Sequence, residues 1–214
     1  MRLFATILAI IVIVCCAGIL AYAAEFHVKQ DGAGDFAGIQ EAIDAAVDGD
    51  AIIVHPGTYG ENIRFNGKNI VLRSTDPEDW AVVEATVIDG GQNGPVVAFA
   101  GTEDETCVLS GFTITNGKNG YGGGICGART WNAPHTKATI ENCRITGNAA
   151  ADAIGPSGGG LMWCDGRIPE CAIRADGAPD TGVVDMGFHY PMWGGLSSLP
   201  FAVTAAFTMQ PITR

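Results

Sequence analysis

The chain carries one pattern twice, first as Val108-Leu-Ser-Gly-Phe-Thr-Ile-Thr-Asn-Gly117 and then as Thr139-Ile-Glu-Asn-Cys-Arg-Ile-Thr-Gly-Asn148. Apolar residues of the first copy have apolar counterparts 31 positions later, as in the pairs Leu109 and Ile140, Phe112 and Cys143, and Ile114 and Ile145. A short β unit that recurs in this way is typical of a solenoid, in which neighbouring units bury a core by stacking.

A glycine triplet followed by an aliphatic residue comes after each copy, at Gly122–Ile125 and at Gly158–Leu161. The two triplets are 36 positions apart, so the second copy has a longer loop between strand and triplet. Glycines at such turns supply positive φ or allow a close backbone approach. Loop length therefore varies while the strands keep their spacing.

The chain before the repeat reads as a strand, one helix and a series of short strands. Glu25–Lys29 predicts the first strand, and Asp35 is a suitable N-cap for a helix that ends at Asp48-Gly49. One apolar stripe on that helix consists of Ile39, Ala42, Ile43, Ala46 and Val47. The strands predicted next are 51–54, 62–65, 69–73, 82–88 and 96–100, which Gly, Asn and Asp corners separate.

These patterns predict a mainly β protein, a right-handed parallel β-helix (solenoid) with a short N-terminal capping helix. Equivalent side chains of successive strands then form ladders at the ordinary strand spacing, with Leu109 beside Ile140 and Ile114 beside Ile145. Asn142 is expected at a corner, like Asn148, because asparagine bonds local backbone and tolerates left-handed geometry. The helix is expected to cover the open end of the apolar core.

Known families share several of these motifs. The segment Gly32–Tyr59 resembles the N-terminal segment of pectin methylesterases and other pectin-lyase-like β-helix proteins. The motifs at 86–90, 109–117, 122–125 and 141–148 are similar to right-handed β-helix repeats of secreted bacterial type, including those of polymorphic outer-membrane proteins. Asp180–Tyr190 is similar to the closing segment of that group. The resemblance covers residues 26–191 and implies the β-helix fold.

The resemblance implies no particular activity, because this superfold hosts lyases, esterases, hydrolases and adhesins. A pectin methylesterase needs paired aspartates and an arginine, and no matching block occurs here. We therefore expect a non-catalytic polysaccharide-binding or cell-surface module. The alternative is a carbohydrate-active enzyme, a pectate lyase or pectin esterase acting on uronate polysaccharides, and a lyase would add Ca²⁺ to the requirements.

The N-terminus predicts export. Arg2 precedes an apolar run to Leu20, and Ala21-Tyr22-Ala23 is a small-x-small cleavage site, so residues 1–23 are a predicted signal peptide. An uncleaved anchor is the other interpretation of the apolar run. With cleavage, we expect no stable membrane span and a secreted, periplasmic or cell-surface location. Residues 24–191 then form the β-helix domain, and 192–214 form a tail with no assigned structure.

Charge and cysteine usage limit the partners. The net charge is −11, which disfavours nucleic acid and anionic membranes. Five cysteines follow the signal peptide, so disulfides are permitted but an odd one remains, and Cys143 is expected to be an ordinary buried side chain. The four histidines are dispersed along the sequence. The sequence therefore predicts no metal site and no cofactor.

The best candidates for a ligand site lie in the loop between the two copies and just after it. Trp131 beside polar groups suits stacking on a sugar ring, although a tryptophan in this loop can equally fold back onto the strands. Charged and amide side chains that could converge with it on one lateral face, where Trp163 could also lie, are Arg129, Asn132, Arg144 and Asp165. The other interpretation of these charges is that they are solvated outward positions.

Overall fold

A computed structural model describes residues 23–128, 130, 132–150, 159–168 and 171–173. Within these residues the protein is mainly β, with two short helices, α1 (Ile39–Ala45) and α2 (Trp80–Ala85). The first eight strands are β1 (Glu25–Val28), β2 (Ala51–Val54), β3 (Gly57–Tyr59), β4 (Ile63–Arg64), β5 (Val71–Ser74), β6 (Thr86–Asp89), β7 (Val97–Ala98) and β8 (Val108–Ser110). The others are β9 (Thr113–Thr115), β10 (Lys118–Asn119), β11 (Ile125–Cys126), β12 (Thr139–Glu141), β13 (Arg144–Ile145), β14 (Ala149–Ala150), β15 (Leu161–Met162) and β16 (Ala172–Ile173).

Every strand pair among the described residues is parallel. Three sheets recur along the chain: sheet A (β1-β2-β5-β8-β12), sheet B (β16-β13-β9-β6-β3) and sheet C (β15-β11-β7-β4). The chain passes through A, B and C in the same order, beginning at β2, β5, β8 and β12, and we call each passage a circuit. A small sheet, β10-β14, joins the third and fourth circuits. This arrangement is consistent with a parallel β-helix.

The apolar ladders lie in the predicted register. Leu109 pairs with Ile140 in sheet A, and Ile114 pairs with Ile145 in sheet B. The 36-residue offset is also observed, because Ile125 pairs with Leu161 in sheet C. These residues and their counterparts in earlier circuits belong to one buried core. Phe65 and Phe99 stack within it at a centroid distance of 4.5 Å. The core thus runs continuously through the circuits, between the three sheets.

The glycine triplet and Asn142 behave as predicted at the corners, whereas Asn148 does not. A Cβ on Gly124 would overlap the carbonyl oxygen of Gly160, so the triplet is required for close backbone approach between neighbouring circuits. Asn142 is left-handed, with φ of 51°. Asn148 is buried and accepts from the Gly117 N–H at 2.7 Å, so its bond is to the previous circuit and not to local backbone.

Helix α1 is present but is capped differently from the prediction. Its N-cap is Gly38, which makes no side-chain cap, and the Asp35 carboxylate accepts instead from the His27 N–H. The N–H groups of residues 39 and 40 donate to the two oxygens of Glu61, at 2.9 and 2.8 Å. The helix ends at Ala45, and Val47, predicted to lie on the apolar stripe, is 65% exposed. Ile39, Ala42 and Ile43 are buried in the core as expected.

The predicted strand at 82–88 is wrong in its first half, because residues 80–85 form α2. The Asp79 carboxylate accepts from the Ala81 N–H at 2.9 Å, which caps the helix and stabilises it despite two valines. The Thr86 hydroxyl donates to the Val82 carbonyl at 2.7 Å, and the strand begins at that residue. Local capping therefore outweighed the β propensity of the valine pair.

The five cysteines 107, 126, 143, 164 and 171 are buried thiols in the structure. Cys143 is fully buried at the position equivalent to Phe112, as predicted. Burial raises the pKa of the Cys107 thiol to about 12. Burial is also the main reason why the pKa values of the Cys126, Cys143 and Cys164 thiols are raised. All five therefore act as small apolar side chains. Cys126 lies on the outer side of sheet C, and the four that belong to the core cluster are Cys107, Cys143, Cys164 and Cys171.

The predicted signal peptide, apart from Ala23, the closing segment at 180–190 and the tail at 192–214 lie outside the described residues. Among the residues that the structure does describe, neither helix has the length and apolarity needed to cross a bilayer.

Lys68 closes the C-terminal end of α1 and provides a stability test. Its ammonium donates to the carbonyls of Ile43, Asp44 and Ala46 at 2.7, 2.9 and 2.8 Å. Lys68→Met removes three charge-assisted bonds at the negative end of a helix, so we expect the free energy of unfolding to fall by about 1–2 kcal/mol. Urea denaturation measures it, with Lys118→Met, an exposed lysine of β10, as the control. Equal stability of the two variants would contradict this role.

A second test concerns Cys107. Since its pKa is about 12, the thiol is almost entirely protonated at pH 8, and it is also inaccessible. We expect no alkylation of Cys107 by iodoacetamide in the folded protein and complete alkylation in urea, as read by peptide mass spectrometry. Rapid labelling of Cys107 in the folded state would show that the core around this residue opens readily.

Candidate functional site

A shallow groove lies on the outer face of sheet C. Its volume is about 490 Å³, and its lining is mostly small or uncharged: Arg64, Asn66, Pro95, Ala98, Phe99, Ala100, Asn119, Cys126 and Ala128. Arg64, Ala98, Cys126 and Met162 follow one another in register across β4, β7, β11 and β15. The residue before each of them is buried in the core: Ile63, Val97, Ile125 and Leu161. Because successive side chains of a strand point to opposite faces, this column faces away from the core.

An aromatic stack lies next to Met162, at the β15 side of the sheet. The Tyr121 and Trp163 rings are stacked with centroids 4.8 Å apart and an interplanar angle of 26°. The His135 ring lies 6.1 Å from that of Trp163, tilted by 22°. Tyr121 is 47% exposed, while Trp163 and His135 are half-buried. We call these three residues the aromatic platform.

Backbone geometry determines where Trp163 lies. Its φ is 58°, a left-handed conformation that is unusual for a bulky side chain. Gly127 of the previous circuit makes this possible, because a Cβ at Gly127 would overlap the Trp163 carbonyl oxygen. The Gly127 N–H donates to the Met162 carbonyl at 2.8 Å. The tryptophan is therefore placed by a glycine 36 residues earlier in the chain.

The loop that precedes the glycine triplet carries Tyr121. Asn119 donates from its side chain to the Tyr121 carbonyl at 2.6 Å, which closes the loop. Gly122 is left-handed, with φ of 69°, and a Cβ added to it would lie 3.1 Å from the Met162 Cβ. This turn brings the tyrosine over the next circuit, where it meets Trp163.

His135 and Asp165 form the polar edge of the platform. Thr136 bridges Cys164 in parallel, and the Asp165 N–H donates to the Thr136 carbonyl at 2.9 Å. These contacts hold the His135 Nδ1 and the Asp165 Oδ1 3.2 Å apart. Asp165 remains half exposed. The platform therefore combines one exposed aromatic ring, that of Tyr121, with a hydrogen-bonding edge.

The structure brings together some of the predicted site residues and separates others. Asp165 lies at the platform, whereas Arg144 lies on sheet B, where its guanidinium pairs with Glu84 of α2 at 2.9 Å. Asn132 is exposed and its Oδ1 accepts from the Thr130 hydroxyl at 2.8 Å. Arg129 and Trp131 lie outside the described residues. Arg144 therefore lies in sheet B, whereas Asp165 follows β15 of sheet C, and a ligand site formed by these residues stays a prediction.

Tyr121 and His135 were absent from the predicted site, although a signal for them existed. Tyr121 precedes the first glycine triplet, and Trp163 follows the second triplet, 36 positions later in the chain. His135 precedes Thr136, which bridges Cys164 in the next circuit. The 36-residue offset therefore indicated that these loops lie side by side. Among the described residues, no group of three or more His, Cys, Asp or Glu side chains is arranged to hold a metal ion.

A second groove, of about 450 Å³, lies on the outer face of sheet A. Its charged lining consists of Arg73, Asp76, Glu78 and Glu141. Arg73 pairs in register with Ser110, which pairs in register with Glu141. The loop at 75–78 covers this column, which explains why Ser110 is buried on an outward-facing position.

Comparison with known proteins gives two partial similarities, and no family model matches the chain. The chain is 34% identical over 158 residues to a cell surface glycoprotein of Methanothermus fervidus, a match that covers 69% of the chain and 22% of that protein. It is 31% identical over 94 residues to "Probable pectinesterase/pectinesterase inhibitor 17" of Arabidopsis thaliana, covering 42% of the chain and 18% of that protein. The chain thus spans about a fifth of each relative. These similarities fit a cell-surface or pectin-related role.

Gly127→Ala tests how the platform is built. The added Cβ overlaps the Trp163 carbonyl oxygen, so we expect a loss of about 1–3 kcal/mol in unfolding free energy and a changed tryptophan emission. Gly60→Ala is the matched control, because nothing lies within 4 Å of its Cβ position and its φ is not left-handed. Wild-type stability and emission in Gly127→Ala would show that the close approach does not position Trp163.

Proposed function

We propose that this chain is a right-handed parallel β-helix solenoid that acts as a non-catalytic, polysaccharide-binding module at the cell surface. The glycan lies in the groove of sheet C and stacks on the aromatic platform. The observation that carries this proposal is the stacked pair Tyr121 and Trp163. Trp163 directly follows Met162, the residue of β15 that continues the register of Arg64, Ala98 and Cys126 in the groove. A right-handed winding is implied by the resemblance to β-helix repeats and by the general handedness of parallel crossovers.

The dimensions of the groove suit a chain-like ligand. The groove lining includes residues of β4, β7 and β11, and Met162 of β15 continues the same register. The four strands span about 14 Å at the usual strand spacing, which is the length of a short oligosaccharide. Small side chains such as Ala98, Ala100 and Ala128 leave room along this length. A linear polymer can therefore contact several circuits at once, with one ring stacked on the platform.

The charges around the groove favour neutral or anionic sugars. Exposed Arg64 lines the groove at β4, while Asp165 lies at the platform end, roughly three strands away. The Arg64 guanidinium can donate to a uronate carboxylate, and the Asp165 carboxylate can accept from hydroxyl groups of a sugar. This polarity predicts a preferred direction of the bound chain, with an acidic group toward β4.

Location at the surface is supported by two independent features. The predicted signal peptide at 1–23 directs export. The similarity to a protein named cell surface glycoprotein covers 69% of the chain. A solenoid suits such a place because its lateral faces are long and its loops vary in length without disturbing the core.

The alternative, an enzyme acting on uronate polymers, is supported by the pectinesterase similarity and by the groove of sheet A. That groove places Arg73 near the carboxylates of Asp76, Glu78 and Glu141, which are residue types that uronate chemistry requires. Arg144 is paired with Glu84 and does not take part in either groove.

Trp163→Ala tests the binding proposal. Loss of the stacking surface is expected to weaken binding of a polygalacturonate or neutral glycan ligand by about two- to twelvefold, because aromatic stacking contributes on the order of 0.5–1.5 kcal/mol. Binding is measured by isothermal titration after a glycan array has identified the ligand. Trp80→Ala is the matched control, since Trp80 is 48% exposed but lies on α2. Equal affinity of the two variants would contradict the platform as the binding site.

The enzymatic alternative has its own readouts. Release of methanol from methylated pectin, or of unsaturated product in the presence of Ca²⁺, would favour an enzyme, and loss of that activity in Arg73→Ala would assign it to sheet A. With the binding module proposed here, neither product forms, and Arg73→Ala binds glycan as the wild type does.

A further inference from the structure

Two histidines that are far apart in the sequence meet at the edge of sheet A that β1 forms. His27 belongs to β1 and His55 follows β2, and the parallel pairing of these strands brings their rings together. The His27 Nδ1 and the His55 Nε2 are 3.2 Å apart, and the ring centroids are separated by 5.4 Å. We propose that this histidine pair is a binding site for a divalent transition-metal ion of the Zn²⁺ class, distinct from the proposed glycan groove.

The separation of the two nitrogens is the first reason. Imidazole nitrogens bind Zn²⁺ at about 2.0–2.1 Å, so two of them in a tetrahedral site are about 3.3–3.4 Å apart. The observed 3.2 Å is close to that edge length. A metal ion can replace the hydrogen bond between the rings with little movement of either side chain.

The second argument for a metal site is the environment of the His27 Nε2, the ring nitrogen that faces away from His55. Its Nε2 lies 3.3 Å from the Glu25 Oε1, two residues earlier on the same strand. A carboxylate at this place holds the ring proton on Nε2 and leaves the lone pair on Nδ1, which faces His55. Histidine ligands of metal ions are commonly oriented by such a carboxylate.

Both histidines are also held by their backbones. The His27 N–H donates to the Asp35 carboxylate at 2.7 Å, and its carbonyl accepts from the Asp35 N–H at 2.7 Å. The His55 N–H donates to the Val28 carbonyl at 3.0 Å, and its carbonyl accepts from the Tyr59 hydroxyl at 2.9 Å. The backbone positions from which the two rings project are therefore fixed.

The local charges are compatible with a cation. Burial, followed by the charges of Lys29 and His27, lowers the pKa of His55, while Asp31 opposes this effect. Glu25 and Asp35 contact His27 directly. Since the described residues offer two ligands here and not three, water or an external ligand would complete the coordination.

Zinc titration tests the proposal on the full chain, freed of metal with a chelator that is then removed. We expect one Zn²⁺ per chain by isothermal titration, with affinity lowered at least about tenfold in each of His27→Gln and His55→Gln. Glu25→Gln is expected to weaken binding to a smaller extent, because it only positions His27. His135→Gln is the matched control, as this histidine pairs with Asp165 elsewhere, and we expect wild-type affinity.

Two further measurements separate a metal site from a structural hydrogen bond. Zn²⁺ is expected to raise the Tm of the wild type and of His135→Gln but not of His55→Gln, because only a folded-state site stabilises the protein. In long-range imidazole ¹⁵N spectra, Zn²⁺ is expected to shift the His27 Nδ1 and the His55 Nε2. Absence of Zn²⁺ binding, unchanged affinity in His27→Gln, or shifts confined to His135 would overturn the proposal. Unaltered Tm of the variants without metal checks that they fold.

Discussion

Leu72, Leu109 and Ile140 lie one beside another because β5, β8 and β12 pair in parallel and in register. The rest of the structure depends on this pairing. Successive side chains of each short strand point to opposite faces of the sheet, so a slip by one residue would turn the apolar ladder outward. Strands of two to four residues cannot bury a core alone. They do so only because the same register is repeated in sheets A, B and C.

Register also determines what the outer faces present. Arg64, Ala98, Cys126 and Met162 form an outward column in sheet C because Ile63, Val97, Ile125 and Leu161 point inward. The groove is a consequence of the small side chains in that column. The platform arises where loops of adjacent circuits overlap, with Tyr121 from one and Trp163 from the next. Function can change on such a scaffold through loops, while the ladders remain intact.

Side chains from one circuit complete the elements of another. Glu61 caps the N-terminus of α1 and Lys68 caps its C-terminus, although each bonded pair is separated by 21 to 25 positions in the chain. A third case is Glu103, a buried carboxylate that accepts from the backbone N–H groups of Gly67, Ala100 and Gly101 at 2.7–2.9 Å. At corners, backbone N–H groups have no neighbouring strand to bond to. The side-chain carboxylates accept their hydrogen bonds instead. The local rule that nominated Asp35 as a cap could not identify these partners.

The amino-acid sequence by itself determined the mainly β class, the 31- and 36-residue offsets of the ladders, the burial of Cys143 and the helix stripe through Ile43. These features follow from periodicity and from the size and polarity of single residues, which are local properties. Only the tertiary structure decided that Arg144 pairs with Glu84, that Asp165 joins His135 and Trp163, and that His27 meets His55. Such contacts join residues that are 28 to 60 positions apart, and they depend on which sheet each strand enters and on how each loop turns. No short sequence pattern carries that information.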